Sequence, residues 1–192
     1  MTEWPVALRG TTETVVTTRG PNDLWNVAAL GLRAPDGGNP ATATTWGNTR
    51  TRRNLHREGG GYVQFVRDPV VFVDAALSIR EEADPVLDAA DAWAEVDTEH
   101  VDTDESGGTR REHWELHPVE TEVVRESPAA INRGFNAVVE ATVAASRLDV
   151  EAYDTEALRE RLRFFEEVAH TCGGDREHEA IERVREHADA DW

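Results

Sequence analysis

Residues 46–69 read WGNTRTRRNLHREGGGYVQFVRDP, and how this stretch folds decides how the rest of the chain is read. Four arginines (Arg50, Arg52, Arg53, Arg57) and the hydroxyls of Thr49 and Thr51 open a run of good helix formers, which Gly59, Gly60 and Gly61 end. Leu55 follows Thr51 at helical spacing, so a short helix is expected over Thr51 to Glu58, with a strand from Tyr62 to Val66 after it. Asp68 and Pro69 supply an N-cap and a first-turn proline for a second helix, whose Val70, Val73, Ala76 and Leu77 share one face. A doubly charged anion needs several short donors converging on it. A helix start offers backbone N–H groups and the favourable end of the dipole, hydroxyls at Thr49 and Thr51 add donors, and Arg50 or Arg52 adds a forked guanidinium. From Gly37 to Arg57 there is no Asp or Glu, although the chain carries 38 acids against 20 bases. A gap that long has a chance of roughly one in a hundred at any given start. The competing reading is a solvated helix face made of Arg50, Arg53 and Arg57.

The rest of the composition bounds the alternatives. A chain of 192 residues suffices for one domain, or for a domain with a helical extension. All 20 bases are arginine, the formal charge is −18, and 39% of residues are hydrophobic. High charge with an intact apolar content is a folded protein with an acidic surface, not a disordered chain. Such a surface suits a halophilic cytoplasm, where salt screens the self-repulsion, and it disfavours nucleic acid and anionic membranes as partners. The opening MTEWPVALRG lacks a basic region followed by an apolar run, and no apolar segment is long enough to span a bilayer, so a cytoplasmic protein is expected. Cys172 is the single cysteine, which excludes an intrachain disulfide.

Outward from residues 46–69, the β-branched run from Thr11 and the segment Leu24 to Leu32 flank the turn Arg19 to Asp23 and predict a hairpin. The breaker cluster Pro35 to Pro40 leads to a third strand, Ala41 to Trp46, in an antiparallel meander. Trp93 to Val101 and Thr109 to Val124 read as two long strands joined by a polar loop, Asp102 to Gly108, with Glu112 and Glu115 facing solvent. The last third is helical. Ser127-Pro128 reads as a cap and first-turn proline before the periodic Ile131, Phe135, Val138, Val139, Thr142 and Val143. A further helix from Asp154 or Thr155 carries Leu158, Leu162, Phe165 and Val168 to a stop at Gly173-Gly174, and Asp175 caps a last one through Ile181 and Val184.

The phosphate donors lack the GxxxxGK[ST] run of a P-loop and the GxGxxG of a Rossmann turn. Several short motifs in order carry a different resemblance: Asn26-Val27-Ala28-Ala29 on a strand; Thr49-x-Thr51-x-x-Asn54-Leu55 turning into a helix; and Asp68-Pro69-Val70-Val71-Phe72 after the next strand. Near residue 131 follows Ile131-Asn132-Arg133-Gly134-Phe135-Asn136-Ala137-Val138-Val139-Glu140-Ala141. In that order they resemble the FMN-binding split barrels, and more narrowly an archaeal, haloarchaeal-type flavoprotein family. The resemblance implies an α+β chain: a six-stranded antiparallel FMN-binding split β-barrel over residues 1–126, and a C-terminal helical extension over residues 127–192. It further implies a homodimer with FMN near its interface and the FMN phosphate at the Thr49 to Asn54 turn; a nicotinamide donor is the reductant to test for such a flavin. Thr49, Thr51 and Asn54 are then the phosphate contacts with Arg50 and Arg52 as charge partners, while Asn26, Val27 and Ala28 face the flavin mainly through backbone groups. The chain departs from the family pattern at Thr49, where serine is frequent, and at the triple glycine. Gly134 inside a helix costs about 1 kcal/mol against alanine, which close packing or approach to a ligand would explain.

Three functional classes follow: a flavin-dependent oxidoreductase or flavin reductase, a non-enzymatic FMN-binding module, and an RNA-binding protein using the arginines of residues 50–57. The acidic remainder disfavours the last. His170, Cys172 and His178 are soft ligands separated by a helix stop, and read as structural or surface residues. His113, Glu115 and His117 fall on one strand face, where a metal pair competes with ordinary polar strand residues. No GxSxG elbow and no paired catalytic acids are evident, which suits chemistry carried by a cofactor.

Overall fold

The structure is a computed structural model that describes residues 2–36, 40–126, 128, 130–188 and 192. The chain forms two compact units: residues 1–67 with 80–126, and residues 68–79 with 127–192.

The first unit is a closed antiparallel barrel. Its strands are β1 (Thr11–Arg19), β2 (Trp25–Arg33), β3 (Ala41–Trp46), β4 (Gly60–Val66), β5 (Arg80–Glu82), β6 (Ala90–Ser106) and β7 (Thr109–Val123), with one helix, α1 (Arg50–Glu58). Hydrogen bonding runs β1-β4-β6-β7-β3-β2, and β1 pairing with β2 closes the ring at six strands; β5 adds to the free side of β2. The predicted hairpin is present, with Arg19 opposite Trp25 and Thr11 opposite Arg33. The meander is not continued. Strand β4 pairs with β1 and β6 rather than with β3, because α1 carries the chain from one part of the ring to another. Strand β6 runs on through Ser106, so most of the expected polar loop is strand, and the turn shrinks to Gly107 and Gly108, both at positive φ, as a two-residue hairpin requires. Its core gathers Val16, Leu30, Leu32, Ala43, Leu55, Val63, Ala94, Val96, Trp114 and Leu116 from every strand of the ring and from α1.

The triple glycine has a use at each position. Gly59 caps α1 in the left-handed region (φ 74°), donating its N–H to Leu55 O. Gly60 and Gly61 open β4 where a Cβ would strike the backbone oxygens of Val96 and Thr17. The triple glycine therefore fixes the helix end and the entry into β4.

The second unit comprises α2 (Pro69–Leu77), α3 (Arg133–Ala145), α4 (Thr155–Cys172) and α5 (Asp175–Ala188). Asp68 caps α2 as expected, its Oδ1 accepting from Val70 N and Val71 N. Val70 and Val73 join Ala137, Val138, Ala141, Leu158, Leu162, Ile181 and Val184 in one core, with Leu77 packed at its edge. Helix α3 starts later than expected. Asn132 caps it, accepting from Gly134 N and Phe135 N, so Pro128 lies outside the helix and Ser127 lies outside the described residues. Ile131 is 90% exposed and not part of the buried face, in which the expected Val138 and Thr142 are joined by Gly134, Ala137, Ala141, Ala144 and Ala145. Gly134 is explained by packing: a Cβ there would collide with Gly173. Asn132 and Gly174 N both bond Glu177, which ties the start of α3 to the turn before α5. Asp154 caps α4 and Gly173 ends it. The breaker residues Gly37, Gly38 and Asn39 lie outside the described residues, and no helix among the described residues is long and apolar enough to cross a membrane.

Candidate functional site

The start of α1 is built by Thr49. Its backbone is extended (φ −78°, ψ 162°) and its Oγ1 accepts from Arg52 N at 3.2 Å, so one orphan helix donor is satisfied by the cap. Arg53 N reaches Thr49 O at 3.3 Å. The N–H groups of Arg50 and Thr51 precede the first intrahelical bond and have no acceptor within the helix. No acid stands in the first turn, whereas His56 and Arg57 stand in the last, where cations suit the dipole. The turn thus leaves N–H donors open at the positive end of the helix dipole.

The residues singled out from sequence divide in two by what they touch. On the inner face of β2, Asn26 is 6% exposed and its Nδ2 donates to Thr51 Oγ1 at 3.3 Å. Ala28 lies on the same face, packed against the barrel core, while Val27 faces the opposite side and is buried there. Arg50 Nη1 donates to Glu81 Oε1 at 3.0 Å, and Glu81 sits opposite Asn26 in the β2–β5 ladder. Asn26, Arg50 and Thr51 are thus brought together. Asn54 is committed on both sides of its amide: Nδ2 donates to Thr18 O (3.2 Å) and Thr18 Oγ1 (3.0 Å), and Oδ1 accepts from Arg57 Nη2 at 3.0 Å. It braces α1 onto β1 from beneath.

Arg52 leads to a group the sequence reading placed in solvent. Glu112 is fully buried, because it shares the inner face of β7 with Trp114 and Leu116. The alternation of Glu112, Trp114 and Leu116 was visible in the sequence, but the charge of Glu112 outweighed its phase. Arg52 Nε donates to Glu112 Oε1 at 2.6 Å, Arg110 Nη2 reaches the same oxygen at 2.6 Å, and His56 Nε2 lies 2.6 Å from Oε2. His100 Nε2 stands 4.0 Å away, and the rings of His56 and His100 pack on Trp114. Burial alone would push the Glu112 carboxyl up, but hydrogen bonds and charge from Arg52 and His56 outweigh it and hold the group at about 2.

The outer face of β7 is different. Glu115 lies directly opposite Glu99 of β6, and their carboxylates and the His117 ring bring ligand atoms within 4.8 Å of one another. This is the one group of metal-ligating side chains that converges so closely among the described residues, and Glu99 and His117 are exposed. His113 is not in it; its ring nitrogens face Thr44 Oγ1 at 3.1 Å and Asp104 Oδ1 at 3.3 Å. In the helical unit, His178 Nε2 donates to His170 O at 3.1 Å with the rings 5.1 Å apart.

A six-stranded antiparallel barrel followed by C-terminal helices, with an acid-free helix start set between β3 and β4, defines a split-barrel protein. The chain belongs to the family described as "Protein of unknown function (DUF447)": its N-terminal domain matches over residues 12–125 and its second part over residues 132–186. Among solved structures, the chain is similar to an FMN-bound protein of the same family from Methanosarcina mazei, with 25% identity and a TM-score of 0.79, covering 94% of this chain and 96% of that one. Looser matches are the styrene monooxygenase flavin reductase of Pseudomonas putida S12 (14% identity, TM-score 0.43, 65% of this chain and 96% of that one) and a flavoredoxin from Methanosarcina acetivorans (14%, 0.41, 68% and 77%).

Proposed function

We propose that this chain is an FMN-binding flavoprotein whose phosphate site is the first turn of α1. The observation that carries the reading is the near full-length likeness, at 25% identity, to an FMN-bound member of the same family. The donor set fits the group. Thr49 and Thr51 offer hydroxyls, the Arg50 and Thr51 N–H groups lack helical acceptors, and Arg50 and Arg52 bring charge without an acid in the turn. Asn54 keeps the turn in place through Thr18, and the backbone groups of Asn26, Val27 and Ala28 on β2 are what a planar ring would meet.

FMN, when bound, accepts and donates electrons, and this is the chemistry of a flavin-dependent oxidoreductase or flavin reductase supplied by a nicotinamide donor. The protein's own part is to bind the phosphate, orient the ring against β2 and exclude water. A homodimer in a salt-rich cytoplasm completes the reading, since 38 acids per chain repel between subunits until salt screens them.

Titration with FMN and riboflavin tests the site. FMN binds more tightly by at least about 100-fold, because charge-assisted hydrogen bonds contribute roughly 1.5–3 kcal/mol each. Equal affinities would remove the phosphate assignment. Anaerobic mixing of the FMN-loaded protein with NADH or NADPH tests the activity: reduction no faster than that of free FMN leaves a binding module without turnover.

A further inference from the structure

Glu112 stands where the alternation of β7 calls for an apolar side chain, between Thr45 and Thr103 on the neighbouring strands and in phase with Trp114 and Leu116. A buried carboxylate needs donors on both oxygens. This one has two guanidinium groups on Oε1 and an imidazole on Oε2. Counting formal charges, Arg52 and Arg110 against Glu112 leave a surplus of one positive charge before either histidine is considered. That surplus adjoins a helix whose own first turn has no acid, although Glu81 pairs with Arg50 there.

The geometry of Arg52 is specific. It is the third residue of α1, and helical side chains lean toward the N-terminus of their helix. Its Nε is held by Glu112 at 2.6 Å and its Nη1 donates to Asn48 Oδ1 at 3.2 Å, just before the cap. With two nitrogens of the planar fork held from two sides, the guanidinium cannot turn, and its side chain is only 17% exposed. Among the described residues its Nη2 donates to no group. Arg110, 56% exposed on the same oxygen, is not fixed in this way. Asn48 is in turn braced by Arg53, whose Nη1 bonds both Asn48 O (2.9 Å) and Oδ1 (3.1 Å), so the loop, the cap and the Arg52 fork form one rigid unit anchored on Glu112.

We propose that Glu112 is a positioning residue: from inside the barrel it locks the Arg52 fork beside the first turn of α1, so that the remaining Nη2 donor recognises a dianionic phosphate monoester. The inference rests on the reading of α1 as the FMN phosphate site and names what sets its selectivity. A pinned fork loses no rotamer freedom when the anion arrives, which a free surface arginine does.

The test uses the full-length protein with Glu112→Gln, Arg52→Met and the double variant, each titrated with FMN, riboflavin and inorganic phosphate. Glu112→Gln and Arg52→Met each narrow the FMN-to-riboflavin ratio by about tenfold, the loss of one charge-assisted bond, while riboflavin affinity is kept. The double variant loses no more than either single one, because the two residues act as a unit. Additive losses, or equal weakening of both flavins, would overturn the proposal, since a purely structural Glu112 would lower both affinities alike. Arg52→Lys covers the case in which Glu112→Gln does not fold: a point charge cannot hold Glu112 and Asn48 together, so the ratio falls as in Arg52→Met, and a wild-type ratio overturns the idea. The Arg52 Nε–H resonance gives a readout without flavin. It exchanges slowly in the wild type and shifts on adding inorganic phosphate. If the wild type binds neither flavin, the FMN reading fails by itself, and the phosphate-induced shift of Arg52 then decides the positioning role: a shift lost in Glu112→Gln sustains it, and no shift in the wild type ends it.

Discussion

On β7 the carboxyl of Glu112 turns into the barrel and that of Glu115, three residues on, turns out of it. The two are the same side chain on the same strand. Inside, Glu112 is stripped of water and must be neutralised by placed partners, so it draws Arg52, Arg110 and His56 to within 2.6 Å. Outside, Glu115 tolerates Glu99 directly opposite, with His117 as the nearest base at 3.9 Å, because solvent screens what the strand pairing brings together. The difference teaches that the partner set of a charged strand residue is decided by its parity against the apolar residues, not by its charge.

Removing the inner carboxylate is the largest way to break the comparison. Glu112→Ala leaves the largely buried Arg52 guanidinium without its carboxylate and is expected to cost about 3 kcal/mol, whereas Glu115→Ala stays within about 0.5 kcal/mol. Denaturant unfolding of both variants checks this, and similar losses would erase the distinction.

Acid titration gives the next largest effect. With Glu112 held at about 2 in the folded state against an ordinary value of 4.5, its charged form stabilises the fold fully above pH 4.5. That stability is lost as pH falls through the range from 4.5 to about 2, and is gone below it. Wild-type stability therefore drops across this window while the Glu112→Gln variant changes less, and the gap between them closes. A gap of constant size from pH 6 to pH 2 would show that the carboxyl is not held ionised.

Thr49→Ala separates the cap from the clamp. Loss of the Oγ1 acceptor for Arg52 N costs about 1 kcal/mol by thermal unfolding, with the Glu112 acid transition unmoved. The smallest effect belongs to the outer face. Glu99→Gln relieves the opposition to Glu115 and is expected to stabilise by about 0.2–1 kcal/mol in low salt, shrinking in molar salt. Destabilisation instead would point to a cation already shared by the pair.

Local chemistry made much of this molecule legible. The β-branched run before Arg19, the Asp68-Pro69 cap and the Gly173 stop each act through neighbouring backbone, so the hairpin, α2 and the end of α4 were readable without the fold. The helix over residues 50–58 and its acid-free start were readable for the same reason. What sequence did not show depends on distant partners. Strand β4 joins β1 and β6 because of ring closure, a relation no local pattern encodes. The start of α3 was placed early because Ser127-Pro128 has the chemistry of a cap, while Asn132, held by Glu177 across 45 residues, provides the cap in the fold. Glu112 was missed because the strand's phase was read from charge rather than from Trp114 and Leu116.

Helix α2 packs in the helical core through Val70 and Val73, yet the chain makes it between β4 and β5, before the two long strands β6 and β7 that complete the ring. The two units are therefore interleaved along the polypeptide and not strung in series. During synthesis α2 must wait, its apolar face uncovered, until α3 to α5 leave the ribosome more than fifty residues later. A gene cut after residue 126 would strand that face permanently, so a fragment carrying the barrel is expected to aggregate unless Val70 and Val73 are made polar. For the same reason, exchange of the last third between relatives succeeds only when α2 travels with it, which binds two segments far apart in the gene into one inherited piece.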